Sequence, residues 1–200
     1  MAIEGMVAMG QEINNRTLAR KTAWRLPYAL AATLFALSTL AYPACSAPLN
    51  FYALPYAFTN DRNETVHLSE WRGKPLILTM EHSNCRFQCS VVISKMKAIQ
   101  ALADQKKLNI DFMIISLDPK NDTPRAWHQY RISREVDRSN WHLLTGSEAT
   151  TREFANLIGI KYWFMEDHVF HDFKIVRLNA NGELAKEITD YGDEPDTLLQ

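Results

Sequence analysis

Residues 76–103 read LILTMEHSNCRFQCSVVISKMKAIQALA, and this stretch decides the fold. It opens with a short apolar run at residues 76–80, which has the length and composition of a buried β-strand. Two cysteines, Cys85 and Cys89, follow within a polar stretch. Apolar residues then recur at helical spacing and predict an amphipathic helix: Val92, Met96, Ile99 and Ala103. The stretch therefore predicts a strand, a loop carrying two cysteines, and a helix.

Strands and helices alternate through the rest of the chain. Asp122-Thr123-Pro124 supplies a capping side chain and a proline at the first helical position, which predicts a helix start. Ser147 and Gly159 are the expected cap and end of a further helix. Strands are predicted for residues 110–117, 143–144, 173–178 and 184–188, the last two joined by a turn at 179–182. This order predicts an α/β sandwich, with a mixed central β-sheet flanked by α-helices in a single domain.

The first 47 residues differ in character from the rest. A basic segment with Arg16 and Arg25 precedes an apolar run between Pro27 and Pro43, and small residues follow. That pattern is typical of a secretory signal peptide ending near Ala47, although an uncleaved membrane anchor stays open. A lipidated cysteine at position 45 is a weaker alternative. The chain is thus divided into a signal peptide or anchor, residues 1–47, and an exported domain, residues 48–200.

Composition excludes several classes of function. Lys and Arg total 22 against 23 for Asp and Glu, so the formal net charge is −1, and nucleic-acid binding is not expected. Three cysteines are too few for a disulfide scaffold. Gly-rich phosphate loops, paired-carboxylate motifs and serine nucleophile motifs are not found in the sequence.

The cysteine pair is the main candidate for chemistry. Cys85 and Cys89 lie where a strand ends and a helix begins, and helix N-termini favour the thiolate form. Their spacing of four places both sulfurs on one helix face, where they would chelate a soft ion such as Cu(I) or form a disulfide. An inert disulfide or a pair of buried thiols is the alternative without function.

Three further segments give the chain a family resemblance. These are SLDPKNDTPRAWHQYR at 116–131, WHLLTG at 141–146 and FHDFKIVRLNANGEL at 170–184. Together with the strand and CxxxC they resemble the Sco (SenC) family over residues 50–195. The resemblance implies a thioredoxin-like fold and a copper-binding protein of the periplasm. It also implies delivery of copper to a copper enzyme, such as the binuclear copper centre of cytochrome c oxidase.

The resemblance also implies a ligand set of Cys85, Cys89 and one distant histidine. His171 stands eleven residues before Gly182, the register that the family pattern expects. His168 is the alternative, because it follows Asp167 in the dipeptide that family members often carry. Two thiolates and an imidazole suit both Cu(I) and Cu(II). The implied partners are a subunit of the copper enzyme and a copper donor protein, with a membrane tether if residues 1–47 are retained.

Several other assignments stay open at this stage. The second candidate function is a thiol-disulfide oxidoreductase, in which Cys85 attacks a target disulfide and Cys89 resolves it. Asp118 and Asp122 are expected to act in capping and turns, or else in support of the cysteines. His82 is expected to lie in solvent or to assist the entry of the metal. Residues 162–169 are expected to form a short loop. Three histidines are expected at the surface or at strand edges: His67, His128 and His142. Four tryptophans are expected in the core or in contact with a partner: Trp71, Trp127, Trp141 and Trp163.

Overall fold

A seven-stranded mixed β-sheet organises the part of the chain that the structure describes. The structure is a computed structural model that describes residues 48–84, 89–166 and 168–200, with only the backbone of Cys89 and Ser90. Its strands are β1 (Ala57–Asn60), β2 (Thr65–His67), β3 (Leu76–Glu81), β4 (Asp111–Ser116), β5 (Trp141–Thr145), β8 (Ile175–Leu178) and β9 (Leu184–Ile188). Their order across the sheet is β2-β1-β5-β4-β3-β8-β9. β3, β4 and β5 are mutually parallel, whereas the other neighbours are antiparallel.

Two strands lie apart from this sheet. β6 (Tyr162–Met165) and β7 (His168–His171) form a two-stranded antiparallel ribbon. The expectation of a short loop over residues 162–169 is therefore wrong, because these residues pair with one another. β1 was also not predicted.

Three α-helices in the described part of the chain cover the sheet: α1 (Cys89–Gln105), α2 (Pro124–Ser133) and α3 (Glu148–Ile158). Thr123, not Asp122, caps α2, since its side chain accepts from the Ala126 amide. Ser147 caps α3, and Gly159 ends it in the left-handed conformation at φ 73°, both as predicted. The predicted thioredoxin-like α/β fold is confirmed.

The central strands are buried on both faces, and their alternation separates two cores. In β3, Leu76, Leu78 and Met80 face the side covered by α3, whereas Ile77 faces α1 and α2. Trp71 lies in the first core, and Trp127 and Trp141 lie in the second. Both cores exclude water from the strands, so the polar residues at the strand ends are held on a rigid frame.

Among the described residues, no helix combines the length and apolar character needed to cross a bilayer. The predicted signal peptide or anchor, residues 1–47, lies outside the described residues.

Gly182 allows the β8–β9 turn to pack against the N-terminal segment of the domain. It has φ +82°, and a Cβ there would lie 2.6 Å from Asn50 Oδ1 and 2.7 Å from the buried Tyr52 ring. We expect Gly182→Ala to lower the free energy of unfolding by about 3 kcal/mol, because backbone strain adds to a steric clash. Chemical denaturation measures this loss.

Gly73 is the matched control for Gly182. Its φ is +85°, but a Cβ there would meet nothing within 4 Å. Gly73→Ala should therefore cost only the backbone strain, about 1 kcal/mol. Equal losses in the two variants would contradict the role of the close contact.

Candidate metal centre

The cysteine loop starts at the carboxyl end of β3. Glu81, the last residue of that strand, and His82 are both buried. Ser83 and Asn84 form a turn, and α1 begins at Cys89. Cys85 and the Cys89 side chain lie outside the described residues, but the chain on either side fixes where the loop leaves and re-enters the fold.

His171 reaches the same strand end from a distant part of the chain. It is the last residue of β7 and only 5% exposed, and its Nε2 lies 3.5 Å from Glu81 Oε2. Its ring also meets the His82 ring edge-on, with centroids 6.3 Å apart. The ribbon therefore brings an imidazole to the point where the chain enters the cysteine loop.

A backbone contact fixes the tautomer of His171. Nδ1 lies 2.9 Å from the Asp172 carbonyl oxygen, which only accepts, so Nδ1 carries the proton. In the neutral ring the lone pair is then on Nε2, the nitrogen that faces Glu81. Metal-ligating histidines commonly donate their other nitrogen to a carbonyl in this way. The imidazole is thus oriented as a ligand with a carboxylate beside it.

Asp122 ties three separate segments together behind the cysteine loop. Its carboxylate accepts from the Ser83 amide at 2.8 Å and from the Ser116 hydroxyl at 2.6 Å. Its backbone carbonyl accepts from the Thr145 hydroxyl at 2.6 Å. Burial raises the pKa of the Asp122 carboxyl above its usual value, although the bonds from Ser116 and Ser83 oppose this shift. The side chain therefore supports the loop, and its expected role as a helix cap is wrong.

Asp122→Ala should loosen the approach to Cys85. The change removes the acceptor of the Ser83 amide and of the Ser116 hydroxyl, so we expect a loss of about 2 kcal/mol in unfolding free energy. Amide exchange at Ser83 should become faster, as measured by NMR. Asp118→Ala is the control, because that carboxylate accepts from Asn121 of its own turn. Faster exchange at Ser83 in the control as well would argue against a specific tie.

The described donors alone do not make a multidentate metal site. Within residues 48–84, 89–166 and 168–200, no group of three or more His, Cys, Asp or Glu side chains could hold a metal ion. The cysteine side chains are outside that set. What the structure supplies is one oriented imidazole at the strand end from which the chain enters the cysteine loop.

The same region carries the family signature. The family model described as SCO1/SenC matches residues 47–200, which includes the strand, the cysteine loop, the Asp122 segment and the ribbon. The chain belongs to the SCO1/SenC family. The predicted family membership is confirmed.

Known members of the family are similar to the chain at modest identity. A SCO1 protein homolog of Bacillus subtilis (strain 168) is 25% identical over 153 residues, which cover 74% of this chain and 79% of that protein. The crystal structure of a SCO1/SenC family lipoprotein from Bacillus anthracis str. Ames is 26% identical, with a TM-score of 0.65. The match covers 72% of this chain and 88% of that one.

Two further structures share the fold. Arabidopsis thaliana ScoI with copper bound has a TM-score of 0.64 at 22% identity, and covers 72% of this chain and 91% of its own. BsSco, described as having a disulfide switch and as a member of the Sco family of cytochrome c oxidase assembly proteins, has a TM-score of 0.61 at 24% identity. That match covers 70% of this chain and 84% of BsSco. The two likenesses concern the fold.

The structure separates the two histidines that the Sco pattern left as alternatives. His171 is buried beside Glu81, whereas His168 is exposed on the ribbon, opposite Met165. Of the two placements expected for His82, solvent is wrong, because the residue is buried with its ring against that of His171. Of the remaining histidines, His67 and His128 are exposed, and His142 bonds to Asp111 at 3.0 Å.

Two residues near the candidate centre were not predicted from the sequence. Glu81 was assigned only to the polar stretch after the strand, yet it is buried and faces His171. Thr145 accepts from Trp127 Nε1 at 2.7 Å and donates to the Asp122 carbonyl. Their sequence signal is weak, because a single polar residue after an apolar run fits solvent equally well.

Proposed function

We propose that this chain is an exported copper metallochaperone in which Cys85, Cys89 and His171 bind the ion. The observation that carries the proposal is the burial of His171 against Glu81 at the strand end that leads into CxxxC. Membership of the SCO1/SenC family supports it, as does the copper in ScoI of Arabidopsis thaliana.

The donor set suits copper that is transferred from one protein to another. Two thiolates favour Cu(I), and an imidazole extends the set to Cu(II). The ion is cargo, so it leaves by exchange of these ligands for those of an acceptor. The Glu81 carboxyl lies beside the imidazole, with Oε2 3.5 Å from Nε2, so its oxygens face the same region as the ligand nitrogen.

A groove beside the loop gives a partner protein access. Its volume is about 700 Å³, and Ser83 and Asn84, the residues just before Cys85, line one side. Tyr130 of α2 and Phe164 of the ribbon are among the residues that line the remainder. An acceptor seated there would have its ligands next to the cysteine loop. We propose the copper subunit of cytochrome c oxidase, or a related copper enzyme, as acceptor, and a separate protein as copper donor.

The proposed location follows from the N-terminal segment. A signal peptide or an uncleaved anchor over residues 1–47 would place the domain in the periplasm, free or tethered to the inner membrane. N-terminal sequencing of the exported protein decides between these two forms.

Copper stoichiometry tests the proposal directly. The purified chain, reduced and kept anaerobic, should bind one Cu(I) tightly at the cysteine site and pass it to the copper-free soluble domain of the oxidase subunit. No copper binding, together with a readily cycled Cys85–Cys89 disulfide, would favour the thiol-disulfide oxidoreductase instead.

His171→Ala should weaken Cu(II) binding more than Cu(I) binding. Two thiolates hold Cu(I) without help, whereas Cu(II) needs the nitrogen ligand, so we expect roughly a 100-fold loss for Cu(II), or about 3 kcal/mol. Competition titration measures both affinities. His128→Ala, which alters an exposed histidine of α2, should change neither. Equal Cu(II) affinity in His171→Ala and the native chain would remove His171 from the ligand set.

A further inference from the structure

The β6–β7 ribbon has two faces with different environments. The register pairs Tyr162 with His171, Trp163 with Phe170, Phe164 with Val169, and Met165 with His168. Directly paired residues share a face, and successive residues alternate. The inner face therefore carries the buried His171 and Val169, opposite Tyr162 and the exposed Phe164, and the outer face carries the pairs Trp163–Phe170 and Met165–His168.

The outer face holds soft metal donors in solvent. Met165 is 58% exposed and His168 is exposed. Cβ atoms of directly opposed residues lie about 4.5–5.5 Å apart, so a thioether sulfur and an imidazole nitrogen on these side chains reach one ion. A thioether favours Cu(I), and imidazole is also a copper ligand.

Packing accounts for one outer pair better than for the other. The rings of Trp163 and Phe170 stack with centroids 5.7 Å apart and 11° between planes, which stabilises the ribbon. Met165, more than half exposed, gains little from burial in the described structure. Its position opposite a histidine suits coordination better than packing.

The surroundings favour a cation at this end of the ribbon. Glu166, exposed in the adjoining turn, adds a negative charge next to both side chains. The Trp163 ring is the same-face neighbour of Met165, and an indole face also attracts cations. The pair thus has soft donors, a nearby charge and an aromatic neighbour.

We propose that Met165 and His168 form a second, weaker Cu(I) site on the outer face of the ribbon. Two neutral donors bind less tightly than a pair of thiolates, so an ion captured here passes on readily. His168 and His171 are three residues apart on one strand, about 10 Å, which makes the ribbon an entry route to the cysteine site. The ion stays Cu(I) throughout and only exchanges ligands. The existence of this second site does not depend on the proposed function. Its role in passing copper to the cysteine site does rest on that function.

Removal of the cysteine site isolates the second site. The full chain carrying Cys85→Ser and Cys89→Ser is titrated anaerobically with Cu(I) against a weak competitor. We expect one residual Cu(I), at least about 10-fold weaker when Met165→Leu or His168→Gln is added. His128→Gln, at an exposed helical histidine, is the control and should leave this binding unchanged.

A second measurement locates the ion. Ag(I), a redox-inert analogue of Cu(I), should shift the NMR signals of the Met165 methyl and the His168 ring, while the buried Met113 methyl stays unchanged. The second site would be refuted if the double cysteine variant bound no Cu(I), or if neither Met165→Leu nor His168→Gln changed that binding. Either result would leave the proposed cysteine site intact. Loss of tight Cu(II) binding in His168→Gln of the native chain would also overturn it, since His168 would then be the third ligand of the cysteine site.

Discussion

Cys85→Ser is expected to lower the Cu(I) affinity of the chain by roughly 1,000-fold, equivalent to about 4 kcal/mol. A serine hydroxyl stays protonated near neutral pH and is a hard donor, so the substitution leaves one thiolate where two bound the ion. His171 does not compensate, because it is a single neutral donor held by Asp172 and facing Glu81. Titration of the reduced chain against a Cu(I) chelator of known affinity measures the loss.

The third cysteine of the chain provides the matched control for this experiment. Cys45→Ser removes a thiol from the segment assigned to the signal peptide or anchor. Its Cu(I) affinity should equal that of the native chain. Retention of full affinity in the Cys85→Ser, Cys89→Ser double variant would refute the proposed site, and equal losses for Cys45→Ser and Cys85→Ser would show that Cys45 also binds the ion.

Local sequence signals were sufficient for the elements that frame the cysteine loop. An apolar run followed by helical spacing predicted β3 and α1, and Pro124 and Gly159 marked helix ends correctly. These signals involve residues close together in sequence, so they need no knowledge of the tertiary structure. The family motifs then indicated that distant segments meet at one site.

The ribbon was missed although its sequence contains a hairpin signal. Two four-residue strands, Tyr162–Met165 and His168–His171, are separated by two residues, a common hairpin spacing. The turn lacks the usual Asn or Gly, and Glu166 instead adopts φ 54°. Its exposed aromatic residues also removed the usual alternation of polar and apolar positions.

Asp122 and His82 could not have been placed from sequence alone. An aspartate before Thr-Pro fits a helix cap, and a histidine in a polar run fits solvent. Both are buried: the His82 ring lies against that of His171, and Asp122 accepts from the Ser83 amide. Asp122 and Ser83 are 39 residues apart in the chain, and local patterns do not report contacts over such separations.

Asp111→Asn is expected to destabilise the fold by about 2–3 kcal/mol at neutral pH. The carboxylate is buried at the start of β4, where it lies 2.9 Å from Lys74 Nζ and 3.0 Å from His142 Nε2. It also accepts from Trp71 Nε1 at 3.2 Å. An asparagine amide would place a neutral group, with donors of its own, against the Lys74 cation. Urea denaturation of both proteins measures the difference.

The same carboxylate gives this loss a defined pH dependence. Burial alone raises the pKa of Asp111, but hydrogen bonds from His142 and Lys74 and their charges outweigh it, so the pKa lies below its usual value. Its contribution is therefore complete above the unfolded pKa, about 3.9, and is lost as the pH falls through the lower, folded pKa. The stability gap between the native chain and Asp111→Asn should shrink below about pH 4.

Asp104→Asn is the control: its ion pair with Arg138 is half exposed, so it should change stability by only about 0.5 kcal/mol. A gap for Asp111→Asn that stays constant into acid would show that packing, and not charge, makes Asp111 stabilising.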